Sequence, residues 1–294
     1  MKRALLALVL VTSACSSAVY GTAAPIPGAE NLAVIDAPGT AAALAAVKTA
    51  AEAVFSYDST DRAAFDRTAE EHLTGSAKTQ YTALFEQVRN NPQPVRLTTR
   101  VLTAAALELT GNRVRALTVL EQVNGTSKGL ATVAFTALAA GGRWRLSDIA
   151  VSPAQPPPAP HAEDGSAAGL RDSALAGARA AVTALASADS ADPEGTYARA
   201  EAVTAEPLLS EYRTNKTAYV DGIRKSGVRA VVPPDLMTGV TTVTGAKATL
   251  LVYVNVQVTD AAGQTTTKPV TATLDLVRAD GRWKASGLRS VTAS

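Results

Sequence analysis

The sequence predicts an α+β protein made of two tandem domains, each with three N-terminal helices packed on a curved antiparallel sheet. Apolar residues recur at helical spacing early in each half and alternate with polar residues later in it. Both halves close on a Gly-Arg-Trp tripeptide, at residues 142–144 and 281–283, and these hold the only two tryptophans. A proline-rich stretch separates the halves, so we expect one small domain to occur twice.

Length and composition fit two packed domains and exclude some partners. A chain of 294 residues has the length of about two domains. A hydrophobic content of 47% is typical of packed cores, whereas 4% aromatic residues argues against stacking platforms for nucleic acid. Without Lys2 and Arg3 of the leader, the 28 basic residues fall to 26 and equal the 26 acidic ones. This balance predicts no nucleic-acid partner.

The chain is poor in residues that bind metals. It has one cysteine, Cys15, and two histidines, His72 and His161. An intrachain disulfide and a thiolate metal cluster are therefore excluded. Sequence signatures of serine hydrolases, zinc proteases and phosphate-binding loops are also missing. We predict no metal site, no cofactor and no catalytic residue.

The first 14 residues have the layout of a lipoprotein-type signal peptide. Lys2 and Arg3 precede an apolar run over residues 4–11. The following Thr12-Ser13-Ala14-Cys15 resembles a bacterial lipobox, which would be cleaved before Cys15 and carry lipid on that cysteine. The predicted partner is therefore the cytoplasmic membrane, and the predicted location is extracytoplasmic, anchored to the outer face of that membrane.

Two other interpretations of the leader remain open. Residues 4–19 could form an uncleaved anchor, although a helix that spans a bilayer needs about 20 residues. Cleavage after Ala24 would instead release a soluble protein. All three alternatives put most of the chain outside the cytoplasm. Residues 15–39 contain several prolines and glycines and little helical periodicity, so they are predicted to form a tether.

Residues 40–152 are predicted to form the first domain. Leu44 to Phe55 carry an apolar stripe at helical spacing, and Asp58 follows at the junction with the next helix. Two more helices are expected over residues 61–73 and 76–89, before Asn90-Asn91-Pro92. Strand patterns then cover residues 95–109, 114–123 and 130–138, and a fourth strand begins at Trp144.

The second half repeats this plan after a linker over residues 153–169. The second domain, residues 170–294, is predicted to have helices over residues 175–185, 193–205 and 208–223, and strands over residues 249–258 and 270–276. Asp189 lies 131 residues after Asp58, and Trp283 lies 139 after Trp144. The repeat therefore gains loop residues before its final hairpin.

The element order and the final hairpin resemble the Mce-associated proteins of actinobacteria. The residues that carry the resemblance are Ala248 to Val256 and Val270 to Trp283, together with Gly142-Arg143-Trp144 in the first half. Those proteins belong to the cone-shaped superfamily of nuclear transport factor 2, the SnoaL-like proteins and ketosteroid isomerase. The resemblance implies two tandem cone-shaped domains and an accessory role beside an Mce-type lipid transport complex. It makes envelope transport proteins, or a lipid, the expected partners.

Catalytic members of that superfamily use Asp, His or Tyr inside the cone. By position the candidates here are Asp58, His72 and Tyr81. Asp58 suits a helix cap better, and His72 suits a surface or an interface. Tyr81 and Tyr212 occupy equivalent positions, which favours core packing. Trp144 and Trp283 either line a pocket or pack on the helices.

Two functions follow from these observations. The first is a non-catalytic cell-envelope lipoprotein that acts as a binding or scaffold module. The alternative is an enzyme, isomerase-like or dehydratase-like, that acts on a small apolar substrate in one cone. An ionisable residue of shifted pKa inside a cavity would distinguish the second from the first.

Overall fold

The computed structural model describes residues 31–89, 95–151 and 166–293. The predicted signal peptide, the lipid attachment at Cys15, the first part of the tether and most of the linker, including His161, lie outside these residues. The chain divides into two units, with the boundary between residues 153 and 154. Unit 1 comprises the described residues before this boundary, and unit 2 those from 166 to 291.

Unit 1 has three helices ahead of a four-stranded antiparallel meander, as predicted. A two-residue strand follows the first helix and pairs with the first long strand. The elements are α1 (Ala37–Phe55), β1 (Tyr57–Asp58), α2 (Arg62–His72), α3 (Ser76–Arg89), β2 (Arg96–Thr110), β3 (Arg113–Asn124), β4 (Ser127–Ala140) and β5 (Arg143–Val151). The α+β fold class is confirmed.

Unit 1 begins earlier than the tether prediction implied. The amide of Leu32 donates to the Leu109 carbonyl (2.7 Å), and Asn31 Oδ1 accepts from the Leu109 amide (3.0 Å). Ala33 is buried, and Asp36 caps α1 by accepting from the Gly39 amide. Residues 31–39 are therefore part of the folded unit, because their backbone groups find partners on the sheet and in the first helical turn.

Helix α1 packs on the sheet through a stripe of small apolar residues. Ala43, Val47, Ala50 and Val54 recur at three- and four-residue spacing and are all buried. The sheet curves because β-bulges interrupt the pairing of β2 with β3 and of β4 with β5. Gly141 and Gly142 both have positive φ and form the tight turn that leads into Trp144.

Unit 2 repeats the plan with two additional interruptions. Its elements are α4 (Ala167–Ala186), β6 (Ala188–Asp189), α5 (Pro193–Ala202), α6 (Leu208–Thr214), α7 (Lys216–Ser226), β7 (Arg229–Val231), β8 (Met237–Val243), β9 (Lys247–Thr259), β10 (Thr265–Ala279) and β11 (Arg282–Ser290). Strands β7 and β8 both pair with β9, which continues to β10 and β11.

The predicted third helix of unit 2 is two helices, separated at Asn215. The Asn215 side chain donates to the Glu211 carbonyl (2.9 Å), so it satisfies a carbonyl that a continuous helix would bond through its own backbone. Strand β8 was not predicted from the sequence, because the Pro233-Pro234 pair ended the interpretable pattern before it.

Matching contacts relate the two units. In unit 1 Leu73 bridges to Leu146, and in unit 2 Thr204 bridges to Ala285. Thr204 lies 131 residues after Leu73, and Ala285 lies 139 after Leu146. These are the two offsets found in the sequence, so positions in the helices of one unit can be compared directly with those of the other.

Candidate functional site

The interior of unit 1 is filled by aromatic rings. Tyr81 is 1% exposed and stacks on Phe65, with ring centroids 4.4 Å apart. Phe85 contacts both of these rings and those of Phe55 and Tyr57. Tyr81 is therefore a core residue. The cavity beside Phe55 and Phe85 measures about 20 Å³, the room of a single water molecule.

One polar atom in this interior lacks a hydrogen bond. The Tyr57 hydroxyl is buried and has no partner among the described residues. A buried hydroxyl without a partner costs free energy, because it has given up its hydrogen bonds to water. The hydroxyl alone does not make a catalytic site, since no cavity of substrate size adjoins the aromatic cluster in the described part of unit 1.

Asp58 has the environment of a turn residue. Its Oδ1 accepts from the Thr60 amide (3.0 Å) and the Thr60 hydroxyl (2.6 Å). These hydrogen bonds, the side-chain one first, lower the pKa of the carboxyl. A base that removes a proton from carbon would instead need a raised pKa. His72 lies in the last turn of α2 and is half-buried.

The two tryptophans pack on their own units. The Trp283 indole is buried, and its Nε1–H donates to Ser173 Oγ on α4 (2.9 Å). A Cβ added at Gly177 would lie 2.4 Å from Trp283 Cβ, so the glycine permits this close approach. Trp144 is half-buried against the core of unit 1. Both residues anchor a hairpin to helices.

Tyr212 belongs to a second aromatic cluster. Its ring centroid lies 6.4 Å from that of Tyr197 and 5.3 Å from that of Tyr219. Burial raises the pKa of the Tyr212 hydroxyl. The Lys216 ammonium lies 5.0 Å from the Tyr197 ring, within range of a cation–π contact. This cluster joins α5, α6 and α7, so Tyr212 has a structural role.

A groove of about 580 Å³ lies along α4 in unit 2. Helix α4 packs on the sheet of unit 2 through Ala174, Ala178, Ala181 and Val182. At 100° per residue, the residues of the groove project from the opposite side of the helix. The groove is therefore outside the space between helix and sheet. Helix α4 contributes Arg179, Ala180, Thr183, Ala184 and Ser187.

The other wall comes from α5 and from the segment between β7 and β8. Ala202 and Val203 line it from the end of α5, and Pro234 and Leu236 line it from the interrupted strand. Most of these side chains are small or aliphatic. The groove thus offers an apolar surface in the size range of small-molecule sites.

Two arginines bring charge to the groove. The Arg179 guanidinium donates through Nη1 to the Leu236 carbonyl. Burial lowers the pKa of Arg179, and the nearby Asp235 carboxylate acts in the other direction. Arg199 pairs with Asp192 (3.1 Å) and donates to Thr196 Oγ1 (3.1 Å). The ten lining residues include no carboxylate, histidine or thiol.

Sequence reasoning did not identify this groove. A signal was present, since Ala180 and Ala184 place small apolar residues on the face of α4 that points away from the core. The Pro233-Pro234 pair was a second signal. None of the four predicted pocket or core residues lines the groove, and the structure does not bring those four together.

Two further searches concern the described residues only. Across residues 31–89, 95–151 and 166–293, no group of three or more His, Cys, Asp or Glu side chains could hold a metal ion. No helix within those same ranges has both the length and the apolar character needed to span a membrane.

Comparison with known proteins gives two structural likenesses. No protein-family model matches the sequence, and no curated protein matches it. The fold is similar to that of an Ntf2-like protein involved in plasmid conjugation, with 11% identity, a TM-score of 0.28, and coverage of 86% of this chain and 96% of the other. It is also similar to a cystatin-like protein from Ruminococcus gnavus, with 13% identity, a TM-score of 0.21, and coverage of 84% and 83%.

Proposed function

We propose that this chain is a non-catalytic binding module of the cell envelope, and that unit 2 holds a small apolar ligand in the groove along α4. The observation that carries the proposal is the groove itself, a volume of about 580 Å³ with small and aliphatic walls. Its lining supplies no group of the kind that removes or donates protons near neutral pH. Such a lining favours binding over chemistry.

The envelope location rests on the leader. A basic start, a short apolar run and a cysteine after small residues favour lipid attachment at Cys15. The tether is tested by fractionating cells that produce the full chain. We expect the wild type to partition with membranes and to carry a lipid adduct, and Cys15→Ala to lose both. A Cys15→Ala variant that still partitions fully with membranes, beside a wild type without adduct, would refute the lipid tether.

An accessory role beside an Mce-type lipid transport complex is the finer form of this proposal. Its support is the sequence resemblance, together with two Gly-Arg-Trp hairpins that each close a helix-then-sheet unit. An envelope accessory protein of this kind would bring its groove close to lipid or to a transport partner. Cross-linking in cells from the native host tests the association.

Binding in the groove is tested by native mass spectrometry of residues 25–294, purified from the native or a related host. We expect an extra mass that organic solvent releases. Ala180→Trp should abolish it, because an indole at this exposed position would fill the groove. Thr49→Trp is the matched control, since Thr49 is the exposed equivalent 131 residues earlier.

The same samples are then titrated with Nile red, a neutral apolar dye. We expect the wild type and Thr49→Trp to bind the dye and Ala180→Trp to bind it at least tenfold more weakly, in line with the loss of a filled apolar pocket. A clean apo mass together with equal dye binding by all three proteins would contradict the proposed site.

A further inference from the structure

The groove carries positive charge on an otherwise apolar surface. Arg179 and Arg199 are the two charged side chains among its ten lining residues. A neutral apolar ligand would gain nothing from either of them. Charge on the groove wall therefore contains information about the ligand that the apolar lining alone does not.

The two arginines are not equivalent. Arg199 already has a carboxylate partner, Asp192 Oδ2 at 3.1 Å, and lies on an exposed helix surface. Arg179 is half-buried, and the printed hydrogen bond holds it to a neutral acceptor, the Leu236 carbonyl. That bond orients the guanidinium without neutralising it. Asp235 is the acidic residue whose charge reaches Arg179.

Partial burial strengthens what Arg179 can do. A guanidinium that has lost part of its hydration interacts more strongly with an anion than one in bulk water, because the local dielectric constant is lower. A single guanidinium with an acidic neighbour suits a ligand with one negative charge better than a dianion. Carboxylates match the planar geometry of a guanidinium and bind it through two parallel hydrogen bonds.

The apolar part of the groove is long and narrow. Its α4 wall runs from Arg179 to Ser187, a rise of about 12 Å along the helix axis. Ala180 and Ala184 form the middle of this wall, and Leu236 faces them from the other side. Arg179 stands at one end of the stripe, so a charged head group there would leave a single chain free to lie along the alanines.

We infer that the groove of unit 2 binds a single-chain carboxylate amphiphile of the fatty-acid type, with its carboxylate at Arg179 and its alkyl chain along Ala180 and Ala184. The inference rests on the proposed function, which requires only that an apolar ligand occupies the groove. Charge complementarity at Arg179 then selects the class of ligand.

The experiment compares dodecanoate with 1-dodecanol, which has the same chain and no charge. Both are titrated by calorimetry into residues 25–294 below their aggregation concentrations. We expect dodecanoate to bind about tenfold more tightly, the scale of one charge-assisted hydrogen-bonded pair. Arg179→Gln should remove this preference and leave dodecanol affinity within about twofold. Arg179→Lys should retain part of the preference.

Unit 1 supplies the matched control. Lys48 occupies the position equivalent to Arg179, 131 residues earlier. Lys48→Gln should leave the preference for dodecanoate unchanged. Unchanged dodecanol binding by Arg179→Gln also shows that the variant is folded, so a lost preference cannot be an effect of misfolding.

The outcomes separate the two claims. If dodecanoate and dodecanol bind equally, and both depend on Ala180, the ligand class is wrong and the binding function stands. If dodecyl phosphate binds more tightly than dodecanoate, the occupant is a phosphate amphiphile and the inference is overturned. If Ala180→Trp binds all three probes as well as the wild type does, the groove is not the site and the proposed function fails with the inference.

Discussion

The first helices of the two units have the same buried face and different outer faces. Ala43, Val47 and Ala50 in α1 match Ala174, Ala178 and Ala181 in α4, and all six are buried. On the outer face, Glu52 of α1 reaches the sheet and accepts a hydrogen bond from the Val101 amide (2.9 Å). Its equivalent in α4 is Thr183, which lines the groove.

The partner of Glu52 is also changed in unit 2. Val101 lies four residues after Leu97, which pairs with Tyr57, and Pro234 lies four residues after Ala230, which pairs with Ala188. A proline has no amide proton to donate. Unit 2 has therefore lost both the acceptor and the donor of this link, and its first long strand is interrupted. The comparison shows how a repeated fold can open a groove without changing its core.

The largest expected contrast concerns the two aromatic clusters. Phe85→Ala should destabilise unit 1 by about 3–5 kcal/mol, because its ring contacts four others inside a filled core. Tyr219→Ala should cost unit 2 about 1 kcal/mol, since that ring is half-exposed. Hydrogen exchange of β3 and β9 peptides reports on each unit separately. Equal losses of protection would show that the clusters are equally important.

The next contrast concerns the tryptophan contacts. Gly177→Ala places a Cβ 2.4 Å from Trp283 Cβ, so we expect overpacking of about 1–3 kcal/mol, reduced by the better helix propensity of alanine, about 1 kcal/mol. The equivalent residue in unit 1 is Ala46, and Ala46→Gly should cost only the propensity difference, about 1 kcal/mol. Exchange protection of β11 measures the first effect. A more protected Gly177→Ala variant would contradict the close approach.

A smaller effect is expected for the link from α1 to β2. Glu52→Thr gives unit 1 the residue found in unit 2 and should cost about 1 kcal/mol, the net value of one hydrogen bond. Thr183→Glu alone should not stabilise unit 2, because Pro234 offers no amide. Thr183→Glu combined with Pro234→Val should show favourable coupling in a double-mutant cycle and weaker ligand binding. Additive effects would argue against the link.

The smallest effect is pH dependence at the helix junctions. Hydrogen bonds from Thr60 lower the pKa of Asp58, and Arg199, followed by the Gly195 amide, lowers that of Asp192. A carboxyl whose pKa falls on folding adds stability above its unfolded pKa of about 3.9, and this is lost as pH drops through the folded value. Carboxyl NMR titrations should show that Thr60→Val raises the Asp58 pKa only, and that Arg199→Gln raises the Asp192 pKa only.

The sequence was sufficient for the element order because its signals were local. Helical stripes, the Asn124-Gly125 turn and the Gly-Arg-Trp hairpins each depend on residues close together in the chain. The break at Asn215 and the strands after Pro233 depended on side-chain competition with the backbone and on pairing with β9. Neither is visible as periodicity.

The groove was harder to predict than the fold. It requires Thr183, Ala180 and Pro234 to meet, and these lie in elements separated by about fifty residues of sequence. Alanines on an exposed helix face are common, since alanine is the best helix former. Only the contrast with the polar residues at the same positions of α1, notably Glu52, gives the alanines of α4 a meaning.

The placement of one tryptophan in each unit gives each unit its own fluorophore. Trp283 is buried and hydrogen-bonded to Ser173, whereas Trp144 is half-buried. Emission from Trp283 should therefore lie at shorter wavelength than emission from Trp144. Trp144→Phe leaves a chain whose fluorescence comes from unit 2 alone, and Trp283→Phe leaves one that reports unit 1. The refolding time of each copy can thus be followed optically, in the intact chain and without an attached dye.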